Sequence, residues 1–358
     1  MAYNGGNKYY ADTFTKSACL GTGDFAESSS PPITKLSRAE GCQKGSQYLN
    51  LWMYVIHEME EAIEDCLESV SPSTHWDESI AYFTGSTTLL NPTTTAGLGV
   101  FQYGLGEKKC PLFKTCVLTG DNTLLYKSAV NQKVFALFSQ GSNYQKAGQC
   151  ANLVTTKEAI VKQMTVPLFQ GVMQYLYLSK TTGLEKAKAE LWSFASSLLP
   201  LINKYSPTVA ATLKNNAYIK NAVTVPDGYQ AVKASLESVY GAIGISCSDV
   251  GGWVDLSTST GYATGMDPCS DNVIVGYSAS NDVTQHLRLD LDQTALNAAA
   301  QKYDFDTAYA AYSKGKTSHT PHALHDMPER ALSCTYCMRR RFTSFSSDLK
   351  IVNDFLHP

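Results

Sequence analysis

The chain has 358 residues, of which 44% are hydrophobic and 17% charged, with a formal net charge of -3. That is enough apolar material for one large domain or two ordinary ones, and the charge balance argues against a nucleic-acid partner, since the one basic run, "CMRRRF" at 337–342, is short. No stretch approaches the roughly 20 consecutive apolar residues that a membrane crossing needs, so no transmembrane segment is expected.

Residues 1–36 read as an N-terminal extension and linker, with the Ser/Pro-rich "DFAESSSPPITKL" at 24–36. "SRAE" at 37–40 has the capping-box form, with Ser37 as N-cap and Glu40 reaching back to it. A long helix then extends past Gly45 to about Val70. Leu49, Trp52, Met53, Ile56, Met59 and Ile63 recur along it at three- and four-residue steps, an apolar stripe of helical period. Thr74 is placed to cap a second, short helix, "HWDESIAYFTG", closed by Gly85. Residues 86–124 are rich in Thr, Gly and Leu and are expected to be irregular.

Further helices are expected at about 126–140, 156–178, 184–203, 207–221 and 228–242. "TTKE" at 155–158 is a second capping box, and Pro167 should kink or restart the helix that holds it. Helical segments return at 281–315, with a short strand at 286–291. The fold expected is mainly α: a disulfide-stabilised helical bundle with long irregular loops. An internally duplicated, imelysin-like pair of bundles would account for two similar runs, each with a glutamine 17 or 18 residues before a cysteine (Gln132 to Cys150, Gln230 to Cys247). The expected divisions are a first helical half at 37–150, a second at 151–280, a C-terminal helical segment at 281–318 and an atypical tail at 319–358, expected to be disordered.

Ten cysteines is a high count for an intracellular protein of this size. Eight precede residue 270: Cys19, Cys42, Cys66, Cys110, Cys116, Cys150, Cys247 and Cys269. None of the eight forms a CxxC pair, so an oxidising compartment and disulfides explain them better than zinc. Their connectivity stays open, although "KKCPLFKTC" could close a small loop between Cys110 and Cys116. The polar N-terminus lacks the apolar core of a signal peptide, so a signal sequence is expected to be missing ahead of Met1.

The runs "GCQKGSQYLNLWMYVIHEMEEAIEDC", "HWDESIAYFTGS", "KKCPLFKTC", "VPLFQGVMQYLY" and "GISCSDVGGW" occur in that order. Together they resemble the iron-assimilation (FEA) family of algae, the low-iron-inducible periplasmic proteins or phytotransferrins, over about residues 17–315. The resemblance implies a periplasmic, extracellular or cell-surface protein that captures ferric iron with carbonate as a synergistic anion. It further implies delivery to a surface reductase, a permease or the endocytic machinery. It does not assign the ligands.

Residue chemistry suggests where those ligands lie. Ferric iron is a hard cation that prefers phenolate and carboxylate oxygens, with imidazole often completing the set. Tyr54, His57, Glu58, Glu61 and Asp65 fall at helical steps and can share one strip of the long helix. The short helix adds His75, Asp77, Glu78 and Tyr82. Gln170, Gln174 and Tyr177 have the same spacing later in the chain. Arg38 and Lys44, near the start of the long helix, are the candidates for carbonate. Glu60, Glu64 and Glu68 form an i, i+4 series read as a solvated face. His286, His319, His322 and His325 lie late in the chain, and "CTYC" at 334–337 has no second pair to complete a zinc site.

Two rival classes remain at this stage. A structural or adhesive surface protein would use the bundle as scaffold and the disulfides for durability. A metal-dependent enzyme is the other, but "HEMEE" resembles the zinc-peptidase HExxH only in part, because Glu61 stands where the second histidine is required. No catalytic residues are assigned, and a non-enzyme is expected.

Overall fold

A computed structural model describes residues 7, 9–27, 32–69, 74–85, 99–117, 128–255, 261–270, 273–274, 277–278 and 289–314. The tail after residue 318, His286 and residues 1–6, 8 and 28–31 of the N-terminal extension lie outside them. Cα packing divides the chain into Met1–Asp271 and Asn272–Pro358.

The first unit is a helical bundle. It begins with α1 (Tyr10–Leu20) and α2 (Lys35–Gly45), and α2 passes through a π-helical segment at Ser46–Asn50 directly into α3 (Leu51–Leu67). Then come α4 (His75–Thr84), α5 (Gln102–Phe113), α6 (Ala129–Lys146), α7 (Cys150–Thr182) and α8 (Glu185–Tyr205). The unit closes with α9 (Pro207–Ala217), α10 (Tyr229–Glu237), α11 (Tyr240–Ile243) and α12 (Cys247–Val250).

The axis of this unit is α7, 33 residues long and about 50 Å end to end. Its middle turns, Met164 to Met173, are buried throughout, because α6 and α8 pack along it while α3 and α5 also touch it. A helix apolar on every side belongs at the centre of a bundle. At Gly171 a Cβ would meet the Phe194 ring at 2.5 Å, so the missing side chain lets α7 and α8 approach closely. The expected halves meet at Cys150, the first residue of α7; the first half and the second as far as Asp271 lie in this one unit.

Several local expectations change. Helix α2 starts at Lys35, not Ser37: Thr34 is the N-cap, and its side chain accepts the Ser37 N–H. Ser37 Oγ instead donates to Glu185 at 2.8 Å, and Glu40 turns inward toward lysines rather than back to Ser37. "TTKE" caps nothing, because α7 has begun five residues earlier and Thr155 Oγ1 donates to the carbonyl of Ala151 within it. Pro167 does not restart α7, which runs through it. Residues 102–113, expected to be irregular, form α5, whose buried Leu105, Cys110 and Phe113 give it a place in the core. Of the expected apolar stripe, Met53 is 37% exposed, since the buried face of α3 is centred on Val55, Met59, Ala62 and Ile63. Gly85 closes α4 as expected, but the Thr74 side chain makes no cap.

All eight expected cysteines are paired, as Cys19–Cys42, Cys66–Cys150, Cys110–Cys116 and Cys247–Cys269. The disulfide-stabilised helical bundle is therefore the observed fold. No helix among the described residues is long and apolar enough to cross a membrane.

The second unit holds a short antiparallel pair, β1 (Val273–Ile274) with β2 (Tyr277–Ser278), in the register Val273 to Ser278 and Ile274 to Tyr277. It continues with α13 (Leu289–Ala300) and α14 (Phe305–Lys314), which pack on each other. The strand expected at 286–291 is corrected at its described end, where residues 289–291 are the first turn of α13.

Candidate metal centre

Helix α4 folds back over α3. Trp76 and Phe83 anchor it in the core, the Trp76 indole N–H donating to the carbonyl of Phe138 at 3.0 Å. At Gly141 a Cβ would stand 2.0 Å from the Trp76 ring, so α6 can receive the indole only without a side chain there. With α4 held in this way, its first turn overhangs the middle of α3.

Glu58 lies beneath that overhang and is 4% exposed. Its Oε2 is 2.7 Å from His75 Nδ1, and Glu78 Oε2 is 3.4 Å from the same nitrogen. Ligand atoms of Glu58, His75 and Glu78 all lie within 4.8 Å of one another, an arrangement able to hold a metal ion. Tyr54, one turn before Glu58, is hydrogen-bonded to it and also to Tyr82 of α4, with the two phenol rings edge to face at 4.8 Å.

The electrostatics follow from these contacts. Burial penalises the Glu58 carboxylate, but hydrogen bonds donated by His75 and Tyr54, with the interaction to Glu78, outweigh it and hold its pKa below the usual value. The hydrogen bond to Glu58 raises the His75 pKa against the effect of burial, and the charges of Glu58, Asp65 and Glu78 add to the rise. The hydrogen bond to Glu58 and its charge likewise push the Tyr54 phenol upward. Glu58 is thus favoured in its charged form at the floor of the group, facing the His75 imidazole.

The strip expected on α3 is split by this geometry. Tyr54, Glu58 and Asp65 face the His75 side, whereas His57 is half exposed and pairs with Glu61 at 3.6 Å. Asp77 is exposed and outside the three-ligand group. Glu60, Glu64 and Glu68 are exposed, as a solvated face requires. Arg38 is spent on structure: it donates to the carbonyls of Ala18 and Cys19 and to Glu27. Lys44 lies 3.9 Å from Glu40 and 5.9 Å from the Tyr48 ring centre. Gln170 donates to Thr115 and to the carbonyl of Val250. Gln174 accepts from Lys109, and Tyr177 packs against Tyr229 and Trp253. None of these three belongs to the α3–α4 group.

Sequence spacing gave no sign that Glu58 and His75 meet, because they are 17 residues apart and on different helices. Nor did it draw attention to Lys109, which is wholly buried on α5 and has its pKa pushed down to about 7 by that burial.

No protein-family model, no curated protein and no solved structure matches this chain.

Proposed function

We propose that the protein captures ferric iron outside the cytoplasm, with Glu58, His75 and Glu78 as the first ligands and Tyr54 as the phenolate that completes the set. The observation that carries this reading is the convergence of those three ligand atoms within 4.8 Å. Carboxylate and phenol oxygens suit a hard trivalent ion, and one imidazole is an ordinary fourth partner. Carbonate is the accompanying anion. The N-terminus of α4, which Thr74 leaves without a side-chain cap, supplies backbone N–H groups of the kind that hold an oxyanion. Four disulfides support an oxidising location. A surface reductase, a permease or endocytic machinery would receive the cargo.

The test is a ferric titration of the oxidised protein with and without bicarbonate, followed by visible absorption. A saturable tyrosinate-to-iron band that needs bicarbonate and is lost in Tyr54→Phe is the expected result. No band and no retained iron under either condition would overturn the reading and favour a surface scaffold, in which the Glu58–His75 contact merely clamps α4 to α3.

A further inference from the structure

Helices α1, α8 and α9 and the turn at Gly23–Phe25 enclose a cleft of about 220 Å³ that shares no residue with the α3–α4 cluster. It is smaller than the pockets that take drug-sized molecules and larger than an apolar cavity of about 150 Å³ that accepts benzene. Its scale is therefore one ring with a few attached atoms. The walls are aromatic: Phe14, Phe25 and Trp192 line the cleft and are all buried. Phe14 stands edge to face with Phe25 at 5.3 Å and tilted against Trp192 at 6.4 Å. The indole N–H of Trp192 is enclosed and has no acceptor, so the polar complement of this wall is incomplete.

The mouth carries one charge of each sign, Asp24 and Lys214. Asp24 Oδ1 accepts from the Tyr218 phenol at 3.0 Å, which fixes the carboxylate and leaves its second oxygen open. Lys214, exposed on α9, has no ionic or hydrogen-bonded partner for its ammonium among the described residues. The two charges line one cleft without pairing with each other. Gly23 leaves the Ser17 hydroxyl uncovered beside them, since a Cβ there would stand 3.2 Å from Ser17 Oγ.

We propose that this cleft binds a free aromatic α-amino acid in its zwitterionic form. The ring lies among Phe14, Phe25 and Trp192, where edge-to-face contacts are open to it. The α-carboxylate meets the Lys214 ammonium and the Ser17 hydroxyl, and the α-ammonium meets the open oxygen of Asp24. A simple anion would set its charge against Asp24, and a simple cation against Lys214, so the pair selects for a molecule that carries both signs. Charge-assisted hydrogen bonds are the stronger kind, and the aromatic walls place them beside a partly covered, low-dielectric surface. This site stands independently of iron capture at α3–α4.

The test is isothermal titration calorimetry of the oxidised full chain with L-phenylalanine, and with phenethylamine and phenylpropionate, which lack the carboxylate and the ammonium respectively. Saturable binding of L-phenylalanine is expected, with each truncated probe weaker by at least about tenfold, the scale of a lost hydrogen bond to a charged group. Lys214→Met, at an exposed position that keeps the fold, should weaken L-phenylalanine to the level of phenethylamine. Asp24→Asn, which still accepts from Tyr218, should weaken it to the level of phenylpropionate. Each variant thus erases one preference and keeps the other, a pattern that a general loss of structure does not produce. No saturable binding of L-phenylalanine, or preferences that survive both substitutions, overturns the proposal.

Discussion

Of the carboxylates on α3, Glu58 alone is buried, while Glu60 and Glu64 are exposed and Glu61 and Asp65 half-covered. Its charge is also the one its neighbours hold in place. Glu58→Gln keeps the shape and removes the charge, so ferric affinity should fall by about tenfold or more. His57→Ala, which loses the exposed 3.6 Å contact to Glu61 and the tilted ring contact with Tyr54 at 5.6 Å but no ligand, should lower it far less; parallel titrations of the two variants check the contrast. Away from the ligands, Gly141→Ala drives a methyl into the Trp76 ring and should cost about 1–3 kcal/mol, the range for overpacked cores, read from urea unfolding. The residues of the site were legible in the sequence as types and as helical faces. Tyr54, Glu58 and Asp65 share a strip because 3.6-residue periodicity is a local property. Which histidine joins them was not legible, since His75 reaches Glu58 only after α4 has folded back on its Trp76 anchor, a tertiary event that no spacing encodes.

At the scale of elements, the covalent links rank themselves by the loops they close. Cys66–Cys150 ties the end of α3 to the start of α7 across 84 residues, whereas Cys110–Cys116 spans only 6. Chain entropy assigns them about 4.5 and about 2 kcal/mol respectively, so paired Cys→Ala variants unfolded in urea should show that order. The cap of α12 gives a prediction in pH. Burial raises the Asp249 pKa, but hydrogen bonds from Lys133 and Ser246 outweigh it and the folded value lies below 3.8. Its contribution is thus complete above the unfolded value and is lost as pH falls through the lower folded one. Asp249→Asn should flatten the acid limb of stability below about pH 4, measured by urea unfolding at successive pH values. Helix existence was readable from periodicity at α3, α6, α7 and α8. Starts were less so: Ser37 and Thr155 carry capping-box sequences, yet Lys35 and Cys150 begin those helices. Helix α5 was missed because "QYGLGEKKCPLF" holds two glycines and a proline, poor helix formers that burial of Leu105 and Phe113 overrides.

For the whole molecule, cargo and stability are linked. A ligand bound only by the folded chain stabilises it by about 2.7 kcal/mol at a hundred times its dissociation constant. Ferric loading should therefore raise the melting temperature of the wild-type protein more than that of Glu58→Gln, in calorimetry at matched iron and bicarbonate. The same chain also carries a built-in phase marker. From Lys35 to Leu67 one continuous rod bears Glu40 and Lys44 before the π-helical segment at Ser46–Asn50 and Tyr54 and Glu58 after it. A π turn holds one residue more than the α turn it interrupts, so the extra residue is absorbed inside one wide turn and the faces on either side keep their mutual azimuth. Deleting one residue within 46–50 should regularise the rod and leave Glu58 close to its place under His75, whereas the same deletion in a regular turn of α3 ahead of Glu58 would swing everything beyond it by about 100°. One wide turn thus lets a residue be gained or lost between the two carboxylate groups without re-aiming either.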